Sequence, residues 1–452
     1  MTLFSAPYAP ADEALIPALM KHAAVSPRTR DTAAQLIGAI RKAHTRIGGL
    51  EDFLRDYDLS TREGLALMAM AEALLRVPDK QTQDKLIADK IGQGDWDGHE
   101  PSDAWLVSAA TWGLGLSSRL LRPGDTVEGM MTQLTRRIGG PAVRTGVQQA
   151  MKFMGHQFVL GESIDAALKR ARDNEAKGSL HSYDMLGEGA RTWDDARRYA
   201  KSYATAIDAI GRAAGNRALP HRPGISVKLS ALHPHYQARN RDAVLADLVP
   251  VLVDLAAKAK SFDLNFTVDA EEQERLELSI DVIETAFADD RLRDWNGFGL
   301  AIQAYGKRAL PVIDRIGALA RKHDQTMMVR LVKGAYWDTE VKHAQVEGQD
   351  DFPVFTRKAI TDLNYLSCAD AMLALRPHLY PQFATHNALS IAAILEMAAR
   401  TGNEAGFEFQ RLHGMGEEIY DTLRKMEGNA PTPVRIYAPV GGHKELLAYL
   451  VR

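Results

Sequence analysis

The chain has 452 residues, room for two to four domains or for one large barrel with attachments, and for a sizeable core. Its 46% hydrophobic and 25% charged residues, with 35 Gly and 19 Pro, exclude a collagen-like or disordered chain. The balance of 55 Lys and Arg against 58 Asp and Glu leaves a net charge of -3, a poor footprint for a dedicated nucleic-acid binder, and the single cysteine, Cys368, excludes an internal disulfide and favours a reducing compartment.

From the N-terminus, MTLFSAPYAPADEAL has no basic stretch ahead of an apolar one and does not read as a secretory signal. Residues 11 to about 172 read as helices joined by short turns. Ser60 and Glu63 form a capping box ahead of GLALMAMAEALLRV, which Pro78 closes. That run, the richest in apolar residues, is broken by Glu72 and falls short of the roughly 18 to 20 residues that span a bilayer. A second helix is expected over Asp79 to Ile91, ending at Gly92, and SDAWLVSAATWGLGL reads as a buried helix. No motif with chemistry stands in this half, which divides into a helical arm (1–60) and an α-helical domain (61–172). The expected location is the cytoplasm.

From Ser179 the period changes. SLHSYDML, GISVKLSAL, LNFTVDAEE, FGLAIQAY, TMMVRLVKG, YPQFATHN, FEFQRLHG and PVRIYAPVG alternate with helical stretches over about 270 residues. Eight such units predict a (β/α)8 barrel over 173–452. A doubly wound sheet is the weaker alternative, because SLHSYDMLGEGA offers Gly187 and Gly189 without the glycine frame of a phosphate loop.

Asp184, Lys228, Asp269, Gln303, Arg330, Lys333, His386, Asn387, Gln410 and Tyr437 all fall at or near the C-terminal ends of these strands, where barrel enzymes build their sites. Each alone reads as a capping or solvated residue; ten on one rim do not. The set is rich in cations, amides and aromatics and poor in acids, which suits a flat cofactor with phosphates and ring heteroatoms. His233-Pro-His235 has metal-ligand spacing, but it follows its strand in a loop split by proline and the last strand offers no Asp or His, so a surface or capping role is favoured.

VKLSAL, NFTVDAEE, GLAIQAY, VRLVKGAYWD, FATHN, FQRLHGMG and RIYAPVG, in this order and followed by HKELLAYLVR, resemble the proline dehydrogenase domain of proline utilization A. The resemblance covers the barrel from about residue 180 to 452, and the helical half resembles that family's arm and α-domain. It implies a distorted TIM-like barrel, FAD as cofactor, and oxidation of L-proline to Δ1-pyrroline-5-carboxylate by hydride transfer to flavin N5. Electrons would pass to a quinone through a peripheral contact with the inner face of the membrane, and the arm suggests a homo-oligomer.

By position, the resemblance places Arg330 near flavin N5. It implies cofactor contacts for Gln303, Lys333, Gly334, Ala335, Tyr336, Trp337, Thr385, His386, Asn387 and Gln410, with Asp269 also close to the cofactor. The proline site would comprise Lys228, Asp269, Tyr336, Leu412, Tyr437, Tyr449 and Arg452, with Arg330, Lys228 and Asp269 carrying the catalysis. Cations would fix the carboxylate while Leu412, Tyr336 and Tyr437 enclose the ring. Tyr437 would crowd the ring's far carbon and disfavour 4-hydroxyproline. The family's last helix has two consecutive arginines, of which Arg452 matches the first, so a shortened chain with weaker proline binding is expected. Neither the repressor-type DNA-binding module nor the aldehyde dehydrogenase domain is expected, and so no nucleic-acid partner. Two other readings stay open: a metal-dependent hydrolase using His233, His235 and His386, and an inactive binding fragment.

Overall fold

The computed structural model describes residues 8–22, 25–43, 82, 158–401, 406–428 and 431–442. The helices expected over residues 61–91 and in SDAWLVSAATWGLGL, together with Tyr449 and Arg452, lie outside the described residues. Residues 1–43 and 160–441 form one compact unit, and 44–159 with 442–452 form another.

All eight expected strands are present: β1 (Leu180–Met185), β2 (Gly224–Val227), β3 (Asn265–Val268), β4 (Phe298–Gln303), β5 (Met327–Val332), β6 (Leu379–Ala384), β7 (Glu408–Leu412) and β8 (Val434–Val440). They close in sequence order into a parallel barrel, β8 pairing with β1 from Leu180 opposite Arg435 to Met185 opposite Val440. Helices follow the strands, among them Trp193–Ala213, Arg241–Ser261, Ala309–His323, Lys358–Ala374 and Ala388–Arg400. The first starts at a reciprocal capping box, in which Thr192 Oγ1 accepts from the N–H of Asp195 and Asp195 Oδ2 accepts from that of Thr192.

Period-two alternation along each strand separates two environments. Ile225, Phe266, Phe298, Val329 and Phe383 point outward into a dry layer under the helices and are fully buried. Phe298 anchors this layer, stacked on Phe266 at 5.9 Å and tilted against Phe287 at 5.8 Å. Many inward positions are small or polar, among them Ser182, Ser226, Thr267, Gly299 and Ala301. Gly299 must be glycine for space, since a Cβ there would meet the carbonyl oxygen of Met328 on β5 at 1.9 Å.

The described part of the arm packs on the barrel of its own chain. Helix Pro27–Ala43 lies against Ala388–Arg400, and Asp12–Leu19 lies against Lys358–Ala374. Leu19 and Leu36 are buried there, Ser26 Oγ donates to Glu396 at 2.6 Å, and Ser367 Oγ donates to the carbonyl of Leu19 at 2.9 Å. The buried Lys307 Nζ holds Asp12 at 2.8 Å, Asp351 at 3.1 Å and the carbonyl of Pro10 at 2.9 Å.

Candidate active site

Four ionisable side chains meet inside the C-terminal mouth of the barrel. Lys228 follows β2, Asp269 follows β3, Arg330 is in β5 and Tyr437 in β8. The sheet ladder runs on past β3, with the N–H of Asp269 donating to the carbonyl of Val227 at 2.9 Å, so this carboxylate is set by backbone geometry. Asp269 Oδ1 accepts from Arg330 Nη1 at 2.8 Å, while Oδ2 accepts from Lys228 Nζ at 3.1 Å and from the Tyr437 hydroxyl at 2.9 Å. Lys228 also donates to Asp184 Oδ1 at 2.8 Å.

Two cations thus face two anions, and the site's core is charge-balanced. This corrects the expectation of a rim poor in acids: Asp184 and Asp269, both among the strand-end residues, lie directly against the cations. Burial alone would lower the Lys228 pKa, but Asp184 and then Tyr437 and Asp269 outweigh it and hold the ammonium well above the ordinary lysine value. Burial, then Asp184 and Asp269, push the Tyr437 phenol well up, so it stays protonated and donates.

Arg330 is held from four further strands. Its Nε donates to Gln410 Oε1 at 2.7 Å, and its Nη2 donates to Ser182 Oγ at 3.0 Å and Ser226 Oγ at 2.9 Å. The guanidinium lies 4.8 Å from the centre of the Tyr437 ring. With Asp269, these contacts use four of its five N–H groups and leave one on Nη1.

The remaining expected residues split into two groups. Gln303 braces the rim: its Nε2 donates to the carbonyl of Glu271 at 2.8 Å and its Oε1 accepts from the N–H of Ala335 at 3.1 Å. Gly334 precedes that turn at φ 143°, where a Cβ would strike the Tyr305 ring at 2.4 Å. Asn387 caps helix Ala388–Arg400 through the N–H of Ser390 at 3.0 Å, and Thr385 Oγ1 accepts from the N–H of Asn387 at 3.1 Å. His386 Nε2 accepts from the N–H of Leu412 at 3.1 Å. These side chains, expected to meet a cofactor's edge, have protein groups as their first partners, because loop backbone at the barrel mouth must itself be satisfied. Lys333 is paired with Asp362, which Lys358 also reaches at 2.8 Å. Tyr336 is buried, whereas Trp337 is 41% exposed with its Nε1 on the carbonyl of Phe355 at 2.9 Å.

Ser182, Ser226, Gln382, Glu408 and Arg435 were not anticipated. Each stands at an inward strand position. The metal reading of His233-Pro-His235 finds no support in the geometry: His233 Nδ1 accepts from the N–H of His235 at 3.1 Å, its ring is buried beside Trp193, and no group of three or more ligating side chains occurs among the described residues.

The family described as proline dehydrogenase matches residues 167–452. The chain belongs to the proline dehydrogenase family. Its relatives include the bifunctional protein PutA of Salmonella typhimurium, 46% identical over 96% of this chain and 34% of that protein, and that of Rhizobium meliloti, 47% identical over 97% and 36%. The chain therefore spans about a third of the length of these curated relatives. The proline dehydrogenase of Deinococcus radiodurans is 27% identical over 69% of this chain and 89% of its own. A crystal structure of a Bradyrhizobium japonicum proline utilization A mutant is 57% identical, covering all of this chain and 45% of that one with a TM-score of 0.75. A second match, to the DNA-binding domain of proline dehydrogenase, covers residues 49–158. It runs against the expectation that no such module and no nucleic-acid partner belong to this chain, which rested on the mild net charge and on the lack of a basic segment ahead of the arm.

Proposed function

We propose that this chain is an FAD-dependent proline dehydrogenase, oxidising L-proline to Δ1-pyrroline-5-carboxylate. The observation that carries the reading is Arg330: a buried guanidinium braced by five side chains at the barrel mouth, with one N–H left over. The described residues suit a flavin. That spare donor would suit an electron-rich ring edge, the part-exposed Trp337 would offer an aromatic face, and Lys333, beside Asp362, would offer a cation to phosphate oxygens. FAD, when bound, supplies the acceptor for the hydride leaving the proline ring.

The chain's own residues do the rest. Lys228 and Arg330 present positive charge to the substrate carboxylate and to the developing negative charge beside it, each charged hydrogen bond contributing about 1.5 to 3 kcal/mol. Asp269 keeps both cations and Tyr437 in one geometry, and holding the reactants in a near-attack pose can lower a barrier by roughly 7 to 11 kcal/mol. Tyr336, Leu412 and Tyr437 supply apolar surface for the ring; Tyr449 and Arg452 complete the substrate site in this reading. Thr385, His386, Asn387, Gln303, Gln410, Gly334 and Ala335 line or brace the cofactor's seat. The catalytic unit is the barrel (173–452), with the arm (1–60) and helical domain (61–172) ahead of it. A quinone reached by peripheral membrane contact from the cytoplasm takes the electrons, and the arm serves a homo-oligomer. Among the described residues no helix is long and apolar enough to cross a membrane.

Anaerobic titration with L-proline tests the reading. A yellow protein bleached stoichiometrically by proline is expected; flavin that proline leaves oxidised, or bound zinc without flavin, would overturn it.

A further inference from the structure

Lys307 and Arg308 stand side by side between β4 and helix Ala309–His323, and neither belongs to the expected substrate or cofactor residues. Both side chains are 1% exposed. A buried cation needs partners, and the arm supplies many of them here. The Lys307 ammonium gives its three N–H groups to Asp12 Oδ1 at 2.8 Å, to the carbonyl of Pro10 at 2.9 Å and to Asp351 Oδ1 at 3.1 Å, so two of its three acceptors come from the arm. The centre of the Tyr8 ring lies 4.8 Å from the Arg308 guanidinium. Residues 8–12 thus close over both cations.

Segment 351–355 runs antiparallel beside 305–307, with the N–H of Phe355 donating to the carbonyl of Tyr305 at 2.8 Å and the N–H of Lys307 donating to that of Pro353 at 3.0 Å. A pairing two hydrogen bonds long holds poorly by itself. Asp351 secures one end of it through the Lys307 ammonium. In open water such a Lys–Asp pair would add little; the arm keeps water from Lys307 and so gives the pair its hold. At the other end, the carbonyl of Phe355 accepts from Trp337 Nε1 at 2.9 Å. We propose that arm residues 8–12 are a positioning element for the Trp337 indole, acting through Lys307 and segment 351–355. The inference rests on the reading that Trp337 offers its face to the cofactor; the contacts that carry it all lie within one compact unit.

Fluorine NMR of the full chain labelled with fluorotryptophan tests this, the Trp337 signal being identified by its loss in Trp337→Phe. Asp12→Lys sets a second cation against Lys307 and releases residues 8–12, and Lys307→Met removes the ammonium while keeping most of its stem. In both, the Trp337 signal of the cofactor-free protein is expected to move and broaden, while those of Trp193 and Trp295 stay. Ser26→Ala loosens the arm at a different anchor, the Glu396 carboxylate, and should leave the Trp337 signal in place. In the flavin-loaded enzyme, Asp12→Lys should raise the flavin dissociation constant about two- to tenfold, the worth of one neutral hydrogen bond, with kcat at saturating flavin unchanged. A Trp337 signal unmoved in both variants, or moved equally by Ser26→Ala, would overturn the proposal and leave residues 8–12 as packing alone. A signal that moves while flavin affinity stays the same upholds the link from arm to indole and counts against Trp337 as part of the cofactor's seat, so the two readings fail separately.

Discussion

The inside of the barrel and the layer around it are built from opposite materials. Barrel interiors of this class are commonly filled by branched apolar side chains. Here that role passes to the outer layer, where Phe266, Phe298, Phe287 and Phe383 pack under the helices, while the interior holds Ser182, Ser226, Arg330, Gln410, Glu408 and Arg435. The outer layer gains stability from area removed from water and tolerates rearrangement of shape. The polar groups of the interior hold one another in fixed directions, and losing one leaves its neighbours unpaired. The layer makes the fold stable, and the interior makes the mouth's geometry definite.

The largest expected effect is on the layer. Phe298→Ala should cost about 3 to 5 kcal/mol of stability, by lost transfer energy and a cavity, with turnover per folded molecule nearly unchanged. Denaturant titration alongside turnover corrected for folded fraction checks this; a large loss of turnover in the folded protein would erase the distinction between the two regions. Next, Arg330→Met should lower kcat/KM for proline about 10²- to 10³-fold, the cost of removing a charge-stabilising donor, and retention of activity within tenfold would remove Arg330 from the chemistry.

Ser182→Ala sharpens the comparison at an intermediate level. It removes one acceptor from Arg330 Nη2 and should cost about 1.5 kcal/mol, near tenfold in kcat/KM, with little change in melting temperature. The smallest effect concerns an acid outside the barrel. Glu340, in helix Trp337–Val346, is buried, accepts the N–H of Gln273 at 2.7 Å, and has no ion-pair partner among the described residues. Burial chiefly, with Glu272 and Glu274 adding to it, pushes its carboxyl up to about 7. A raised pKa means that the folded chain holds the proton more tightly. The stability so contributed is complete below about pH 4.5 and is lost as pH rises through about 7. Glu340→Gln should therefore match the native melting temperature at pH 5 and exceed it by a few degrees at pH 8. Equal melting temperatures at both values would show that this acid, like those inside, has its charge compensated.

The strands were legible because β-rich segments recur with helical spacers, and the lower faces of those segments matter little to that pattern. The strand-end pattern put Lys228, Asp269, Arg330 and Tyr437 on one rim among ten residues; which of the ten touch is a matter of register across four strands, which no local spacing encodes. Ser182, Ser226, Glu408 and Arg435 escaped notice for a related reason. Outward positions beside them also carry polar groups, His181 in β1 and Arg411 in β7, so the two-residue period of polarity is blurred where it would have been most useful. The rim amides Gln303, Gln410 and Asn387 were noticed for their chemistry, and each also has partners within the protein: backbone groups for Gln303 and Asn387, and the Arg330 and Glu408 side chains for Gln410.

The docking of residues 8–43 onto helices Lys358–Ala374 and Ala388–Arg400 also constrains how the protein is made. The arm leaves the ribosome before the barrel does, and the surfaces that cover Leu19 and Leu36 follow more than 300 residues later. At about 5 to 20 residues per second, the arm's apolar side waits on the order of 20 to 70 s for its partner. During that interval its apolar side lacks the surface that covers it in the folded chain, and β8, from Val434, has still to arrive and close the barrel against β1.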